Sequence, residues 1–354
     1  MAEPENAAGR AGLERPPETE AELEERLARP TPADVDFART LEGDVMVLGA
    51  GGKMGPSLAR RVRRALAAAK TARRVFAVSR FPTPELPRAL ERDGIETLVC
   101  DLLDPDQVAR LPVCPNVLFL AGMKFGSSAQ PGLTWALNTI APANVARRFS
   151  GSRIVVFSTG NVYPLVDPAS GGCSESDITD PVGEYAQSCL GRERVFEHYS
   201  AVDGTPCLLL RLFYAVDLRY GVLVDVARKV FAGEPIDLGV AHFNAIWQGD
   251  ANSYAFRSLA LCTSPPQPLN VTGPTVVPVR SVAAHFGRRF GREPRFVGIE
   301  GPSALLGRAQ RCTSLLGPAE VELDQLLEWI AHWVEHGGRS LDKPTRYERS
   351  DGRF

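Results

Sequence analysis

The spacing with the clearest chemical meaning is a short turn whose glycines lie three residues apart: Gly49, Gly52 and Gly55. The apolar run 44–48 precedes the turn, and the amphipathic stretch 57–62 follows it. A buried strand, a glycine turn and a helix N-terminus form a phosphate site, because free backbone N–H groups and the helix dipole both attract anions. The G-x-x-G-x-x-G pattern is met in full, whereas G-x-G-x-x-G would need glycine where Met54 stands. The turn therefore predicts a bound nucleotide cofactor.

Two residues at the end of the next predicted strand indicate which cofactor binds. Ser79 and Arg80 follow the apolar run 75–78. A carboxylate in this place holds the ribose 2′-hydroxyl of NAD, whereas a small residue and a cation suit the 2′-phosphate of NADP. Lys53, inside the glycine turn, can add charge near the same phosphate. The pattern favours NADP over NAD, and the alternative interpretation of Arg80 is a solvated surface arginine.

The composition argues against several classes of partner. The chain has 354 residues and a net charge of −2, which disfavours nucleic acid or a membrane surface as the main partner. No apolar stretch is long enough to span a membrane, and the polar first residues are unlike a secretory signal. Seven cysteines without a C-x-x-C pair fit reduced thiols in a cytoplasm better than disulfides or a zinc site. His332 and His336 share a helical spacing, but the nearby tryptophans favour an ordinary helix face, so we expect no metal.

Strand and helix patterns alternate along the chain. Apolar, β-branched runs predict strands, and amphipathic stretches predict helices between most of them. This alternation predicts an α/β fold with a doubly wound, parallel sheet of the Rossmann type. The predicted strands are 44–48, 75–79, 97–100, 117–121, 154–158, 207–212 and 268–272. The predicted helices are 19–29, 56–70, 84–93, 105–111, 134–149, 185–200, 222–232, 250–261, 281–290 and 321–335.

Changes in composition and rhythm divide the chain into four predicted parts. The N-terminal part is expected to be disordered to about residue 17, with one short helix that Pro30 and Pro32 stop. The parts are residues 1–40, a tail with a short helix; 41–212, a Rossmann dinucleotide-binding domain; 213–337, a mixed α/β substrate region that contributes some elements back to the core; and 338–354, a C-terminal tail.

Further motifs follow the glycine turn in a fixed order between residues 44 and 334. They are Asp101-Leu102, Leu120-Ala121-Gly122, Asn138, the segment 157–163, Tyr185, the segment 211–214 and the segment 315–318 before the last helix. With these motifs the chain resembles the extended short-chain dehydrogenase/reductase family, in its sugar-nucleotide epimerase/dehydratase branch. The resemblance implies a nicotinamide cofactor and a sugar or sugar-derived substrate.

The resemblance also implies roles for individual residues. Asp101 would bond the adenine amino group, and Ala121 and Gly122 would let the cofactor lie close to the strand ends. Thr159 matches the residue that bonds the substrate's reacting oxygen, and Tyr185 matches the tyrosine that exchanges a proton with it. The implied cofactor-binding set is Gly49, Gly52, Lys53, Met54, Gly55, Ser79, Arg80, Asp101, Leu102, Ala121, Gly122 and Tyr185.

The chain departs from the family pattern at one catalytic position. The family's Tyr-x-x-x-Lys ends in Cys189 here, and the family lysine binds the nicotinamide ribose and lowers the tyrosine pKa. A cation about 4–5 Å away contributes roughly 3–4 kcal/mol at an effective dielectric of about 20. Without it, Tyr185 is a poor base but a usable acid. Two cations are candidates to replace it: Lys124, just past the fourth strand, and Arg192, two helical turns beyond Tyr185.

Two main hypotheses of function remain open on this evidence. The first is an NAD(P)-dependent oxidoreductase or epimerase in which Thr159, Tyr185 and Lys124 act on a sugar-derived carbonyl or alcohol. The second is a non-catalytic NAD(P)-binding sensor or scaffold that has lost the catalytic lysine. A weaker third is an enzyme of the same fold that uses another base. The resemblance also allows a homodimer through the helix 185–200.

Overall fold

The computed structural model describes residues 14–124, 126–343, 345–349 and 351–352. Most of the segment expected to be disordered, residues 1–13, therefore lies outside the described residues. No helix within the described ranges is long and apolar enough to cross a membrane.

A seven-stranded sheet forms the centre of the molecule, and every strand pair in it is parallel. Its strands are rich in buried valine, leucine and phenylalanine, as expected for a sheet covered on both faces. The strands are β1 (Val45–Leu48), β2 (Val75–Ser79), β3 (Glu96–Val99), β4 (Asn116–Phe119), β5 (Arg153–Thr159), β6 (Cys207–Leu212) and a later strand, Gln267–Val271, that pairs with β6 at the sheet edge. The predicted Rossmann-type fold and all seven predicted strands are confirmed.

The strand order places a crevice beside the glycine turn. From β1 the chain builds β2 and β3 on one side, then crosses over to build β4, β5 and β6 on the other. Such a reversal separates the connections after β1 and β4, and ligands bind in the crevice between them at the carboxyl ends of the strands.

Helices cover both faces of this sheet. Those in the first half are α1 (Glu20–Ala28), α2 (Pro32–Thr40), α3 (Gly55–Ala68), α4 (Glu85–Arg92), α5 (Pro105–Ala109), α6 (Pro131–Trp135), α7 (Ala141–Arg148) and α8 (Gly183–Asp203). Those in the second half are α9 (Val222–Ala232), α10 (Gln248–Arg257), α11 (Val279–Phe290), α12 (Gln310–Leu316) and α13 (Leu323–Glu335). Each helix predicted from the sequence has a counterpart within a few residues.

The helix predicted over 19–29 ends at Ala28, before Pro30 as expected, but the sequence analysis missed a second short helix, α2, which begins at Pro32. The side chain of Thr31 accepts a hydrogen bond from the Asp34 N–H (3.1 Å), and the Asp34 carboxylate accepts one from the Thr31 N–H (2.9 Å). This capping box fixes the start of the helix. Proline suits the first turn because an N–H there has no partner within the helix.

The single helix predicted over 134–149 is interrupted by a π-helical turn, Ala136–Ile140, between α6 and α7. The N–H of Ala141 bonds to the carbonyl of Ala136, five residues back. Pro142 follows and has no N–H to offer, so the regular i→i−4 ladder cannot continue here. The extra residue lies in the turn that carries the buried Asn138.

The second half of the chain builds its own apolar core around α9, α11 and α13. Leu23 and Leu27 of α1 pack into the same core, so the N-terminal helix belongs to this cluster. The strand Gln267–Val271 instead extends the main sheet. Three two-stranded pairs complete this half: Tyr214–Val216 with Ala245–Trp247, Pro235–Asp237 with Arg295–Val297, and His242–Phe243 with Val277–Pro278.

Candidate functional site

The glycine turn lies against the ends of β1 and β4, where two positions require glycine. Gly49 has φ +90°, and a Cβ there would come within 2.6 Å of the Ala121 nitrogen. A Cβ on Gly55 would come within 2.6 Å of the Ala50 Cα. The turn is therefore packed against the strands and held close to the start of α3.

The N-terminus of α3 is open to an anion. Its N-cap residue, Met54, makes no side-chain cap bond, so no side chain competes there for the first-turn N–H groups. The helix has 14 residues, enough to carry a substantial dipole. The turn and this helix end together fit the diphosphate of a nicotinamide dinucleotide.

The residues expected to hold the adenosine end lie at the carboxyl ends of β2 and β3, outside the main cavity. Ser79 Oγ lies within 2.5 Å of the place where a Gly51 Cβ would stand, so it adjoins the glycine turn. Arg80 is exposed. The Asp101 carboxylate accepts a hydrogen bond from the Leu103 N–H at 3.0 Å, and Leu102 is buried. Ser79 and Arg80 are thus available to a ribose lying over the turn.

Tyr185 and Thr159, which the sequence places 26 positions apart, meet at the site. Tyr185 lies in the first turn of α8, and Thr159 ends β5. Both residues line the same cavity, and Thr159 and Cys189 are near enough to the Tyr185 hydroxyl to influence its pKa. Burial raises the pKa of the Tyr185 phenol well above its ordinary value, so the phenol keeps its proton at neutral pH.

Lys124 stands over the Tyr185 ring, with its Nζ 5.7 Å from the ring centroid. Burial lowers the pKa of Lys124 to about 8. Asn138 holds Met123, the residue before Lys124, through two hydrogen bonds. The Asn138 Oδ1 accepts from the Met123 N–H at 3.1 Å, and the Asn138 Nδ2 donates to the Met123 carbonyl at 3.3 Å. The π-helical turn thus positions the loop that carries Lys124.

Arg192, the other candidate for the missing charge, braces the strand ends and does not line the cavity. Its guanidinium donates to the Phe157 carbonyl at 2.6 Å and to Asn138 Oδ1. A Cβ on Gly122 would come within 2.2 Å of the Arg192 Nη2, so a larger residue there would displace the guanidinium. Its charge still lowers the pKa of Tyr185, against the larger effect of burial.

The sequence analysis missed a buried polar network directly behind Thr159. Arg211 donates to both oxygens of Glu193 (3.0 and 2.7 Å), and Ser158 Oγ donates to the same carboxylate. Arg211 also donates to the Tyr163 hydroxyl at 2.6 Å, and Glu193 itself is fully buried. One signal was present, because Glu193 lies on the face of α8 that also carries the buried Cys189 and Phe196.

A cavity of about 250 Å³ extends from the glycine turn to Tyr185 and Thr159. It brings together eight of the residues predicted from sequence: Gly49, Gly52, Lys53, Met54, Gly55, Lys124, Thr159 and Tyr185. Ser79, Arg80, Asp101, Leu102, Ala121 and Gly122 do not line it. The lining also includes Ser158, Asn161 and Tyr214 from the motif segments 157–163 and 211–214, Tyr220, and Thr345, which the sequence analysis missed.

Lys53 extends from the turn into this cavity. Its Nζ donates to the Ala215 carbonyl at 3.1 Å and lies 4.0 Å from the centroid of the Tyr220 ring. Burial lowers the pKa of Lys53 to about 8. The ammonium is therefore directed toward the second half of the chain, and not toward Ser79 and Arg80 as the sequence suggested.

The described residues between 338 and 352, here called the C-terminal strap, close one side of the cavity. Thr345 donates to the Asp225 carboxylate of α9 through both its N–H (3.0 Å) and its hydroxyl (2.5 Å). Tyr347 is 3 % exposed and packs on Phe243. Gly352 lies against the start of α8: a Cβ on Gly183 would be 2.4 Å from the Gly352 carbonyl oxygen. The strap thus runs from α9 to the helix that carries Tyr185.

The comparisons with known proteins rest on the structure, since no protein-family model and no curated protein matches the sequence. An epimerase from Methanothermobacter thermautotrophicus superposes with a TM-score of 0.69 at 17 % identity, covering 86 % of this chain and 96 % of that one. MoeE5, solved with UDP-glucuronic acid and NAD, gives 0.67 at 22 % identity, covering 83 % and 100 %. UDP-glucuronic acid 4-epimerase from Bacillus cereus, solved with NAD, gives 0.66 at 19 % identity, covering 82 % and 98 %. The chain therefore has the fold of the extended short-chain dehydrogenase/reductase epimerases.

Proposed function

We propose that the chain is an NAD(P)-dependent oxidoreductase or epimerase that acts on a sugar-derived carbonyl or alcohol. The observation that carries this proposal is that Tyr185 and Thr159 line the same cavity as the glycine turn. MoeE5, of the same fold, was solved with UDP-glucuronic acid and with UDP-glucose, each together with NAD. UDP-sugars are therefore the first substrates to test.

In this proposal the chain's own residues handle the proton. A bound nicotinamide supplies hydride exchange with the substrate carbon. Thr159 bonds the reacting oxygen, and Tyr185 transfers its phenolic proton to that oxygen. Because burial raises the Tyr185 pKa, Tyr185 is ready to act as the acid when a carbonyl is reduced, whereas oxidation of a sugar hydroxyl first requires the phenol to lose its proton. The Lys124 ammonium, 5.7 Å from the ring, stabilises the phenolate that remains.

Cys189 separates this site from the family pattern, and it does not replace the lysine. Burial raises the pKa of the Cys189 thiol, so the sulfur stays neutral beside Tyr185. No cation stands at that position to hold the nicotinamide ribose. The alternative, a non-catalytic NAD(P)-binding sensor or scaffold, is favoured by this single position.

A turnover assay separates the two functions. We expect purified protein with NAD or NADP to convert at least one sugar nucleotide, followed by nicotinamide absorbance and by product analysis. Product analysis is needed because an epimerase regenerates its cofactor and shows no net absorbance change. Saturable cofactor binding without conversion of any sugar nucleotide would support the sensor or scaffold instead.

The preference for NADP rests on Ser79 and Arg80, and the variant Arg80→Ala tests it. We expect this change to weaken NADP binding about tenfold and NAD binding less than twofold, because only NADP carries a 2′-phosphate for the guanidinium. Calorimetric titration with both cofactors measures the two affinities. Arg288→Ala, which removes an exposed arginine from α11, is the matched control. Equal losses for both cofactors would reject the assignment.

The other features predicted from the sequence stay proposals. These are the cofactor contacts at Asp101, Leu102, Ala121 and Gly122, a homodimer through α8, and a cytoplasmic location.

A further inference from the structure

The charged groups that line the cavity between the glycine turn and Tyr185 are all positive. Its described lining contains two ammonium groups, those of Lys53 and Lys124, and no carboxylate. Three tyrosines, Tyr185, Tyr214 and Tyr220, supply half of the hydroxyl groups in this lining. A neutral sugar needs hydrogen-bond donors and acceptors of both kinds, whereas this lining offers an excess of donors and positive charge.

The ammonium group of Lys53 is held at a fixed place inside the cavity. The Ala215 carbonyl and the Tyr220 ring orient its ammonium group. Burial is the largest cause of the lowered Lys53 pKa, and three nearby cations, Lys124, Arg219 and Lys343, lower it further.

The acidic group that acts on Lys53 is already engaged elsewhere. Asp217 attracts the ammonium and raises its pKa. Its carboxylate, however, accepts from the Arg219 N–H at 2.6 Å and from Arg219 Nη2 at 3.0 Å. Keeping an ammonium in so desolvated a place costs free energy, and an incoming anion would offset that cost.

The positive lining continues under the C-terminal strap. A second cavity, of about 50 Å³, shares Lys124, Asn161 and Thr345 with the first. Arg346 and Arg349 of the strap line it, and the part of its wall that the structure describes again holds no carboxylate. Cations from the glycine turn, the β4 loop and the strap therefore line two neighbouring cavities with a common wall, which together form a cationic space.

We infer that this space binds a substrate whose reacting portion carries a carboxylate or phosphate, and that Lys53 is the residue that holds this anion. The inference deepens the proposed function and rests on it for the position of the reacting carbon beside Tyr185. The anion meant here lies at the reacting end and is separate from the diphosphate of any sugar nucleotide. Lys53 then determines substrate specificity, although it lies within the glycine turn that binds the cofactor.

A matched pair of ligands tests the inference by binding alone. UDP-glucuronic acid and UDP-glucose differ only in a carboxylate against a hydroxymethyl group. With cofactor present at pH 7, we expect the acid to bind at least tenfold more tightly. Lys53→Met should weaken the acid 10- to 100-fold, the loss of one charge-assisted contact at about 1.5–3 kcal/mol, and the neutral sugar less than threefold. Lys70→Met, at an exposed lysine just after the other end of α3, should change neither affinity.

The pH dependence gives an independent reading of the same contact. In the free protein the Lys53 pKa is lowered to about 8, so the ammonium is present below pH 8 and is lost as the pH rises through it. Lys124, in the same cavity, also has its pKa lowered to about 8, so affinity for UDP-glucuronic acid should fall above pH 8 by more than affinity for UDP-glucose does. Lys53→Met should remove most of this difference.

Several outcomes would overturn the inference. Equal affinity for the two ligands, no binding of either, or an unchanged acid preference in Lys53→Met would each do so. An equal loss of NAD(P) affinity in Lys53→Met, measured without sugar, would assign the lysine to the cofactor diphosphate instead. Acid preference without turnover would reject the proposed function and keep the anion site, whereas turnover without acid preference would do the reverse.

Discussion

Replacing Tyr185 with phenylalanine is expected to lower turnover by about 100- to 10,000-fold while leaving NAD(P) affinity within about twofold. A positioned general acid contributes a factor of this size, and Tyr185 lines the cavity together with Thr159. The ring itself remains in the variant, so the apolar packing around it and the position of α8 are kept. Steady-state kinetics on the sugar nucleotide identified by screening, together with cofactor titration, measure the two quantities.

Tyr199→Phe is the matched control for this experiment. Tyr199 lies on the same helix, and its hydroxyl accepts a hydrogen bond from Arg147 at 2.6 Å, outside the cavity. Its loss should leave turnover within about twofold. If Tyr185→Phe retains wild-type turnover, Tyr185 is not the acid, and the third hypothesis, another proton-transfer group in the same fold, takes its place.

The elements that the sequence predicts well are those with a strong local signal. Seven apolar, β-branched runs became the seven strands of one parallel sheet, because burial on both faces selects such runs. The glycine turn was equally predictable from the sequence, because Gly49 and Gly55 lie where no side chain fits. The meeting of Tyr185 with Thr159 was available only through the family resemblance, because nothing in local spacing relates a strand end to a helix start.

The features that escaped prediction depend on contacts between distant parts of the chain. The strap contacts Asp225 and Phe243, which are more than 100 positions away in the sequence. No local pattern at residues 338–352 predicts these contacts. The direction of Lys53 is set by the Ala215 carbonyl and the Tyr220 ring. Sequence spacing placed Lys53 in a phosphate turn, but a long side chain can leave a turn in more than one direction.

The buried pair of Glu193 and Arg211 leads to the second large expected effect, on stability. Glu193→Gln is expected to lower the free energy of unfolding by about 3–5 kcal/mol, because it leaves the Arg211 guanidinium buried with only neutral partners. Urea unfolding at pH 7 measures the loss. Glu197→Gln on the same helix is the control, since Glu197 pairs with the exposed Arg194 and should cost less than about 1 kcal/mol.

The same pair has a second readout at the site, because Ser158 donates to Glu193 and precedes Thr159. Turnover of Glu193→Gln should therefore fall even where the variant is fully folded. The double variant Glu193→Leu with Arg211→Met should recover most of the lost stability, since two apolar groups leave no charge without a counterion. It should not recover turnover, because leucine at position 193 leaves the hydroxyl of Ser158, next to Thr159, without its acceptor. Full stability in the single variant would show that Arg211 is compensated by groups other than Glu193, and the network would then be no more than a packing feature of α8.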